Sequence, residues 1–431
     1  MHEDKIFARC ARRLIPFMVV LYTFAWLDRV NVGFAALTMN RDLGFSPTVF
    51  GLGASIFFLG YFAFQIPANL LLARIGVRRW ITAIVVTWGA LSAANALIED
   101  PITFYILRFL LGVAEAGLFP GMIFYLTLWF PQNYRARFTA TFMTAIPLAN
   151  IIGGPISSLI LEFDGMAGLH GWQWLFLIEG LPACVLAFAV PKLMPNGPAE
   201  APWLSDQEKA LISARLQKEE SSKRSELLPA MFDLRVVVLC LGNFGIGFGG
   251  YGISIWLPQI LQSMGYSTLA IGPIIAFLSA LGMIAMIAWG RSSDRKKERI
   301  WHTALPMLIA ATGLVVVSAP QGAAVSLIAL TCIVVALLAA DGPFYSLPTA
   351  FLGGVAAAGG IALINAVGSL GAFAGPFAIG LLREQTGGYA AGMLALALCF
   401  ALTALLVLTL GRSMVSRTFI EPASDSIKDV R

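Results

Sequence analysis

Charge is what this chain has least of: only 12% of its 431 residues are Asp, Glu, Lys or Arg. Soluble globular domains carry about a quarter, so a chain whose whole surface meets water is excluded. Histidine is scarcer still, at three residues, and the five cysteines (Cys10, Cys184, Cys240, Cys332, Cys399) are scattered without metal-ligand spacing. No metal centre is expected, and the cysteines read as small packing residues. A Walker loop and a nucleophile elbow are also missing. The glycines between Gly242 and Gly252 have no strand–turn–helix around them, so they are not a nucleotide loop. The chain is therefore not read as an enzyme, and no cofactor is expected.

Apolar length is what the chain has in abundance. Its composition is 58% hydrophobic and its mean hydropathy is +0.79. Runs of roughly 18 or more apolar residues are long enough to cross a bilayer. Twelve such runs are found, near 14–36, 49–73, 80–98, 103–128, 137–161, 172–194, 234–261, 268–290, 301–319, 324–350, 358–382 and 389–411. The predicted fold is an all-α integral membrane protein of twelve spans in two pseudo-symmetric six-helix bundles.

Lys and Arg fix the expected orientation, because basic loops stay cytoplasmic. With both termini inside, that side holds Lys5, Arg9, Arg12, Arg13, Arg74, Arg78, Arg79, Arg135, Arg137, Arg291, Arg295, Lys296, Lys297 and Arg299, against only Arg41 and Arg383 outside. The net charge of +5 is then a topology signal, and nucleic acid is not an expected partner. The first apolar run continues past any plausible cleavage point, so a cleavable signal peptide is not expected. The expected setting is a plasma membrane, the bacterial inner membrane, with the lipid bilayer as partner and the chain a monomer.

Pro191, Pro195, Pro198 and Pro202 interrupt the chain after the sixth run, and Ser205-Asp-Gln-Glu208 reads as a capping box that opens an amphipathic helix. The expected division is 1–194 and 231–431 as the two bundles, with 195–230 as a cytoplasmic linker. An offset of 221 residues aligns Gly154-Pro155 with Gly375-Pro376, and the loop from Asn69 with Gly290–Arg299. Related halves around a midplane substrate site are a recurring transporter plan. The same offset carries Asp28 onto Gly249, Arg108 onto Ala329 and Glu115 onto Ala336. The charged groups thus belong to the first half alone.

Those charges are the candidate site. Asp28 and Arg29 sit deep in the first run, Arg108 and Glu115 seven residues apart in the fourth, and ionisable groups at that depth are functional by default. Helical rise puts Asp28 about 21 Å into its span and Arg108 near the same depth, with Glu115 about 10 Å nearer the cytoplasm. Asp28 is therefore expected to pair with Arg108, leaving Glu115 the more isolated acid and the readier proton exchanger. Arg29 and Arg108 suit carboxylates, because guanidinium is planar, bidentate and always charged. The bland alternative is a static ion-pair network holding two helices together. Tyr61 and Gln65, four apart on the second run, can face one cavity. Tyr22, Asn150, Tyr251, Tyr345, Asn365 and Ser369 are further polar groups within runs, equally suited to ligand contact or interhelical hydrogen bonds. Asp341 is a lone acid in the tenth run, a candidate pore-lining group. Glu179 is read as structural.

The loop Gly290-x-x-x-Asp294-Arg295-x-x-x-Arg299 resembles the cytoplasmic signature of the major facilitator superfamily. Its first-half counterpart keeps Arg74, Gly76, Arg78 and Arg79. Leu27–Ala35, Gln65-Ile-Pro67, Arg108–Gly117, Tyr251–Gln259 and Asn365 together resemble its anion:cation symporter branch. That resemblance implies proton handling by Asp28 and Glu115, and anion binding or coupling by Arg29, Arg108, Tyr61 and Asn365. The implied substrate is a small organic anion such as a sugar acid, tartrate or an aromatic carboxylate. Asp294, Arg295, Arg299 and Arg74 are expected to gate the cytoplasmic side. Tyr345 and Asp341 depart from the branch, where a Trp and a small residue are usual. The fifth run lacks the final glycines of the family's antiporter pattern, reading Gly154-Pro-Ile-Ser-Ser158, which favours import by symport over efflux. An anion sensor that moves nothing is the alternative from another class.

Overall fold

The computed structural model describes residues 2–220, 233–348, 351–352 and 354–418. Helices carry almost all of it, because a chain in hydrocarbon must satisfy its backbone N–H and C=O groups within each segment. In chain order they are α1 (His2–Asp42), α2 (Pro47–Ile75), α3 (Val77–Ala94), α4 (Pro101–Glu115), α5 (Leu118–Trp129), α6 (Gln132–Met143), α7 (Ala145–Leu161), α8 (Gly171–Ala187), α9 (Val190–Leu193) and α10 (Asp206–Glu220). After the linker come α11 (Leu234–Ser263), α12 (Thr268–Lys296), α13 (Ile300–Ser318), α14 (Ala323–Ser346), α15 (Gly354–Thr386) and α16 (Ala390–Thr418). Among the described residues eleven helical segments are long and apolar enough to cross a membrane, and α8 is a shorter apolar helix that supplies the sixth span of the first half. Large apolar side chains such as Leu97, Ile102, Val185, Phe188 and Leu405 stand exposed on the outer surface, where lipid replaces water.

The spans form two groups of six. In the first, α1 packs on α7 and α8, α2 on α4, and α3 on α8; in the second, α11 packs on α15 and α16, α12 on α14, and α13 on α14 and α16. The repeat is visible in the element bounds. Moved by 221 residues, Pro47–Ile75 falls on 268–296, the bounds of α12, and the end of α1 at Asp42 falls on Ser263, the end of α11. The groups meet where α2 lies against α15, α7 against α12 and α1 against α11.

Local chemistry sets where these helices start and stop. Asp100 caps α4, its carboxylate accepting from the N–H groups of Ile102 (2.7 Å) and Thr103 (3.0 Å), with Pro101 in the first helical turn. The fourth span then breaks at Ala116-Gly117, directly after Glu115. Pro120 accounts for that break, since it cannot donate to the carbonyl four residues back and crowds it. Glu115 thus ends a helix instead of sitting inside one.

The capping box before α10 is present: Ser205 Oγ accepts from Glu208 N (3.3 Å), and Glu208 Oε2 accepts from Ser205 N (3.0 Å). Arg9 of α1 also binds Glu208, at 2.7 Å. These partners, the Ser205 amide first and then the Arg9 charge, hold the Glu208 carboxyl below the usual glutamate range. Trp203 stacks on Trp129 at 5.6 Å, and Arg13 lies over Trp203, so this part of the linker is tied to the first half. Most of the charged run Lys218–Glu226 lies outside the described residues.

Candidate functional site

Four ionisable side chains converge in the first half, and all are withdrawn from solvent: Asp28 and Arg29 on α1, Arg108 and Glu115 on α4. The approach of α4 to α2 makes room for them. A Cβ on Gly112 would stand 1.9 Å from the Phe57 carbonyl oxygen, so only glycine permits that crossing.

The pairing inside the cluster differs from the one that depth alone suggests. Arg29 Nε donates to Glu115 Oε2 at 3.0 Å, so Glu115 is an ion-pair partner and not the isolated acid. Asp28 takes three neutral donors: Asn31 Nδ2 at 3.1 Å, Ser92 Oγ at 2.6 Å, and the Trp88 indole N–H. The reason for the exchange is the break after Glu115, which lets its carboxyl swing to α1, while Trp88 and Ser92 on α3 occupy Asp28 from the other side.

Arg108 is left over. Its side chain is fully buried, and none of its three guanidinium nitrogens has a hydrogen-bond partner. It lies within electrostatic reach of Asp28 and Glu115 and over the Phe57 ring at 5.2 Å. Arg29 Nη2 and Glu115 Oε1 also lack partners. Buried polar groups are nearly always hydrogen-bonded, and a guanidinium offers donors alone. This arrangement can receive an acceptor, and a carboxylate matches it in charge and shape.

Aromatic rings wall the site. Arg29 lies 4.9 Å from the Tyr61 ring, 5.7 Å from Phe57 and 5.9 Å from Tyr22. Its Nη1 reaches the Tyr251 hydroxyl at 3.4 Å, a link from α1 to α11 and so between the halves. Tyr22, Tyr61 and Tyr251 therefore join the four charges in one cluster. Asp341 on α14 is half-buried within electrostatic reach of Tyr251 and Tyr345. Tyr345 stands exposed, its hydroxyl 3.4 Å from Asn243 Oδ1.

Other candidates stand apart. Gln65 and Asn150 are half-buried, with no hydrogen bond to the cluster among the described residues. Ser369 donates to the Asn365 carbonyl at 3.1 Å, which satisfies it within α15. Arg299 pairs with Asp294 at 2.5 Å and donates to Ser293 at 2.7 Å, all within the second half. Arg74 and Arg295 are exposed, with no ion pair among the described residues. Glu179 accepts from Ser157 at 2.6 Å, a bond between α8 and α7.

Trp88, Ser92 and Asn243 were not singled out by sequence reasoning. Ser92 had a findable signal, as a hydroxyl on an apolar run; Trp88 did not, because its indole is unremarkable among ten tryptophans.

At the end of the molecule opposite the basic loops, the halves are closed on each other. Glu384 of α15 accepts from Ser46 Oγ (2.8 Å) and Thr48 N (2.9 Å) at the start of α2. Asn40 donates to Gln259 and Gln262 to the Leu37 carbonyl, both at 3.4 Å. Ser158 Oγ accepts from Gly272 N at 2.9 Å where α7 crosses α12.

Two helical groups meeting around a buried cluster of charged and aromatic side chains are the architecture of a membrane transporter. The Major Facilitator Superfamily family model matches residues 18–376, and the chain belongs to that family. It is 44% identical over 414 residues to a "Putative tartrate transporter" of Agrobacterium vitis, covering 95% of this chain and 92% of that one. It is 41% identical over 396 residues to a "Quinolone resistance transporter" of Acinetobacter baumannii, covering 91% of each. In fold it is similar to a bacterial homologue of the human lysosomal transporter Spinster, solved inward-facing and occupied. The TM-score is 0.75 at 17% identity, over 93% of this chain and 97% of that one.

Proposed function

We propose that this transporter is a proton-coupled symporter that imports a small organic carboxylate by alternating access. The observation that carries the reading is the fully buried Arg108 guanidinium without an acceptor, beside the Arg29–Glu115 pair and Asp28. A buried unpartnered charge is costly, and an anion entering the site offsets that cost. The name of the tartrate relative supports a carboxylate as that anion.

In the proposed cycle, Asp28 and Glu115 carry protons while the site faces outward. The substrate carboxylate then meets Arg29 and Arg108, and the Arg29–Glu115 bond competes with it. The halves rock, protons leave towards the cytoplasm, and Glu115 retakes Arg29 as the anion departs. Tyr61, Tyr22 and Tyr251 shape the pocket, and Gln65, Asn150, Asn365, Tyr345 and Ser369 are assigned to meet the substrate as the halves move. Asp294, Arg295, Arg299 and Arg74 latch the basic face when it closes, and residues 195–230 tether the halves. Protons are the sole coupling species, and the chain works as a monomer in the bacterial inner membrane with both termini in the cytoplasm.

The name of the quinolone resistance relative favours a second reading, efflux by proton antiport. Proteoliposomes with a pH gradient of either polarity separate the two. Symport predicts uptake with acid outside, and Glu115→Gln abolishes accumulation while leaving substrate counterflow. Accumulation by Glu115→Gln at the wild-type level removes Glu115 from the coupling.

A further inference from the structure

Glu179 is a buried carboxyl that the transport cycle above does not use. It sits on α8, only 3% exposed; its Oε1 accepts from Ser157 Oγ at 2.6 Å, and its Oε2 has no partner. The same turn of α8 lies against the surroundings of Asp28. A Cβ on Gly180 would stand 2.9 Å from Ser92 Oγ, the hydroxyl that donates to Asp28. Asn31, one turn beyond Asp28 on α1, donates to Asp28 at 3.1 Å and lies within hydrogen-bonding reach of Glu179. One amide thus stands between two carboxyls, and no cation does. The polar groups that α3, α7 and the turn Asn95–Leu97 bring to this stretch of α8 are Ser92, Ser157 and Asn95, all neutral. Lys192 of α9 stands exposed, and Cys184 turns to the Val86 carbonyl at 3.7 Å. Among the described residues, Asp28 is the charged group within electrostatic reach of Glu179.

Two buried carboxyls joined through one amide, without an arginine on the Glu179 side, oppose each other's ionisation. A proton on Glu179 turns its Oε2 from an acceptor without a donor into a donor. The Ser157 bond alone needs only a neutral acceptor, which glutamine offers with no ionisable group to bury. We propose that Glu179 is a third proton-binding site, coupled to Asp28 through like charge and the Asn31 amide. Asp28 releases its proton only while Glu179 keeps one, so the pair always holds a resident proton. This goes beyond the coupling assigned to Asp28 and Glu115. It holds for symport and antiport alike, because it concerns the Asp28 carboxyl and not the direction of transport.

The test is an infrared pH titration of the full-length protein in lipid, which needs no substrate. A protonated carboxyl absorbs in a C=O band distinct from the carboxylate bands. At neutral pH wild type is expected to show such a band that Glu179→Gln removes and Glu115→Gln leaves in place. Glu179→Asp, which keeps the acid and moves the band, assigns it should the glutamine variant fail to fold. Raising the pH of Asp28→Asn is expected to abolish the band about one pH unit or more earlier than in wild type, because the opposing charge is gone. A structural carboxyl, neutral throughout, would not respond to Asp28. Absence of a Glu179 band at neutral pH therefore overturns the proposal, as does a band with the same pH dependence in Asp28→Asn as in wild type.

Discussion

Arg108 and Asp28 are both buried charges, yet their partners predict opposite mutational outcomes. Arg108 has no acceptor, and a buried charge can be less stable than a hydrophobic residue of similar volume. Arg108→Met is therefore expected to keep or raise the thermal unfolding temperature in detergent while abolishing substrate binding. A marked fall in that temperature would mean that Arg108 has a structural partner. Ser92→Ala goes the other way, since it removes a 2.6 Å donor from the buried Asp28 carboxyl. The expected loss is roughly 1.5 to 3 kcal/mol, the range for a hydrogen bond to a charged group, read as a lower unfolding temperature. The identity of the four charges was legible in the sequence, because ionisable residues inside apolar runs announce themselves. Their pairing was not. Depth along a straight helix put Arg108 level with Asp28, whereas the break after Glu115 and the approach of α3 depend on tertiary contacts.

At the scale of the element, Gly112 is critical to the α2–α4 crossing, which also needs glycine at Gly60, and Glu208 to the docking of α10. Gly112→Ala forces a Cβ into the Phe57 carbonyl, so α4 must withdraw from α2. That displaces Arg108 and Glu115 on the same helix. Severalfold weaker substrate binding is expected even where the variant folds, checked by titration against wild type. For α10, the depressed Glu208 carboxyl fixes the sign of a pH effect. A carboxyl held below its unfolded range contributes stability above that range, which lies near about 4.3. The contribution is lost as pH falls through the folded value. Amide protection factors at the start of α10, corrected for the intrinsic slowing of exchange in acid, should therefore fall as pH drops from neutral into that acid range, and Glu208→Gln should show low protection throughout. The capping box was readable from Ser205 and Glu208 alone. Its second partner, Arg9, was not, since 199 residues separate the two.

Across the whole molecule, the repeat and the span count followed from hydropathy and one offset, because both are periodic properties of the chain. Which end is shut was not readable, since opening and closing use the same sequence. The closed end depends on α7 and α12 touching through glycine: a Cβ on Gly272 would lie 2.0 Å from the Gly154 carbonyl oxygen. Backbone cannot yield at that distance as a flexible side chain could. Gly272→Ala is therefore incompatible with this conformation, yet it leaves each half free to keep its own packing. The variant should populate the form open at the end opposite the basic loops. Spin labels on cysteines placed at Arg41 and Thr386, in a background without native cysteines, would show the distance distribution lengthening. Transport should stop, because a cycle that cannot close at one end cannot alternate, while ligand binding survives. A wild-type distance distribution in a folded Gly272→Ala protein would mean that the contact between α7 and α12 does not hold that end shut.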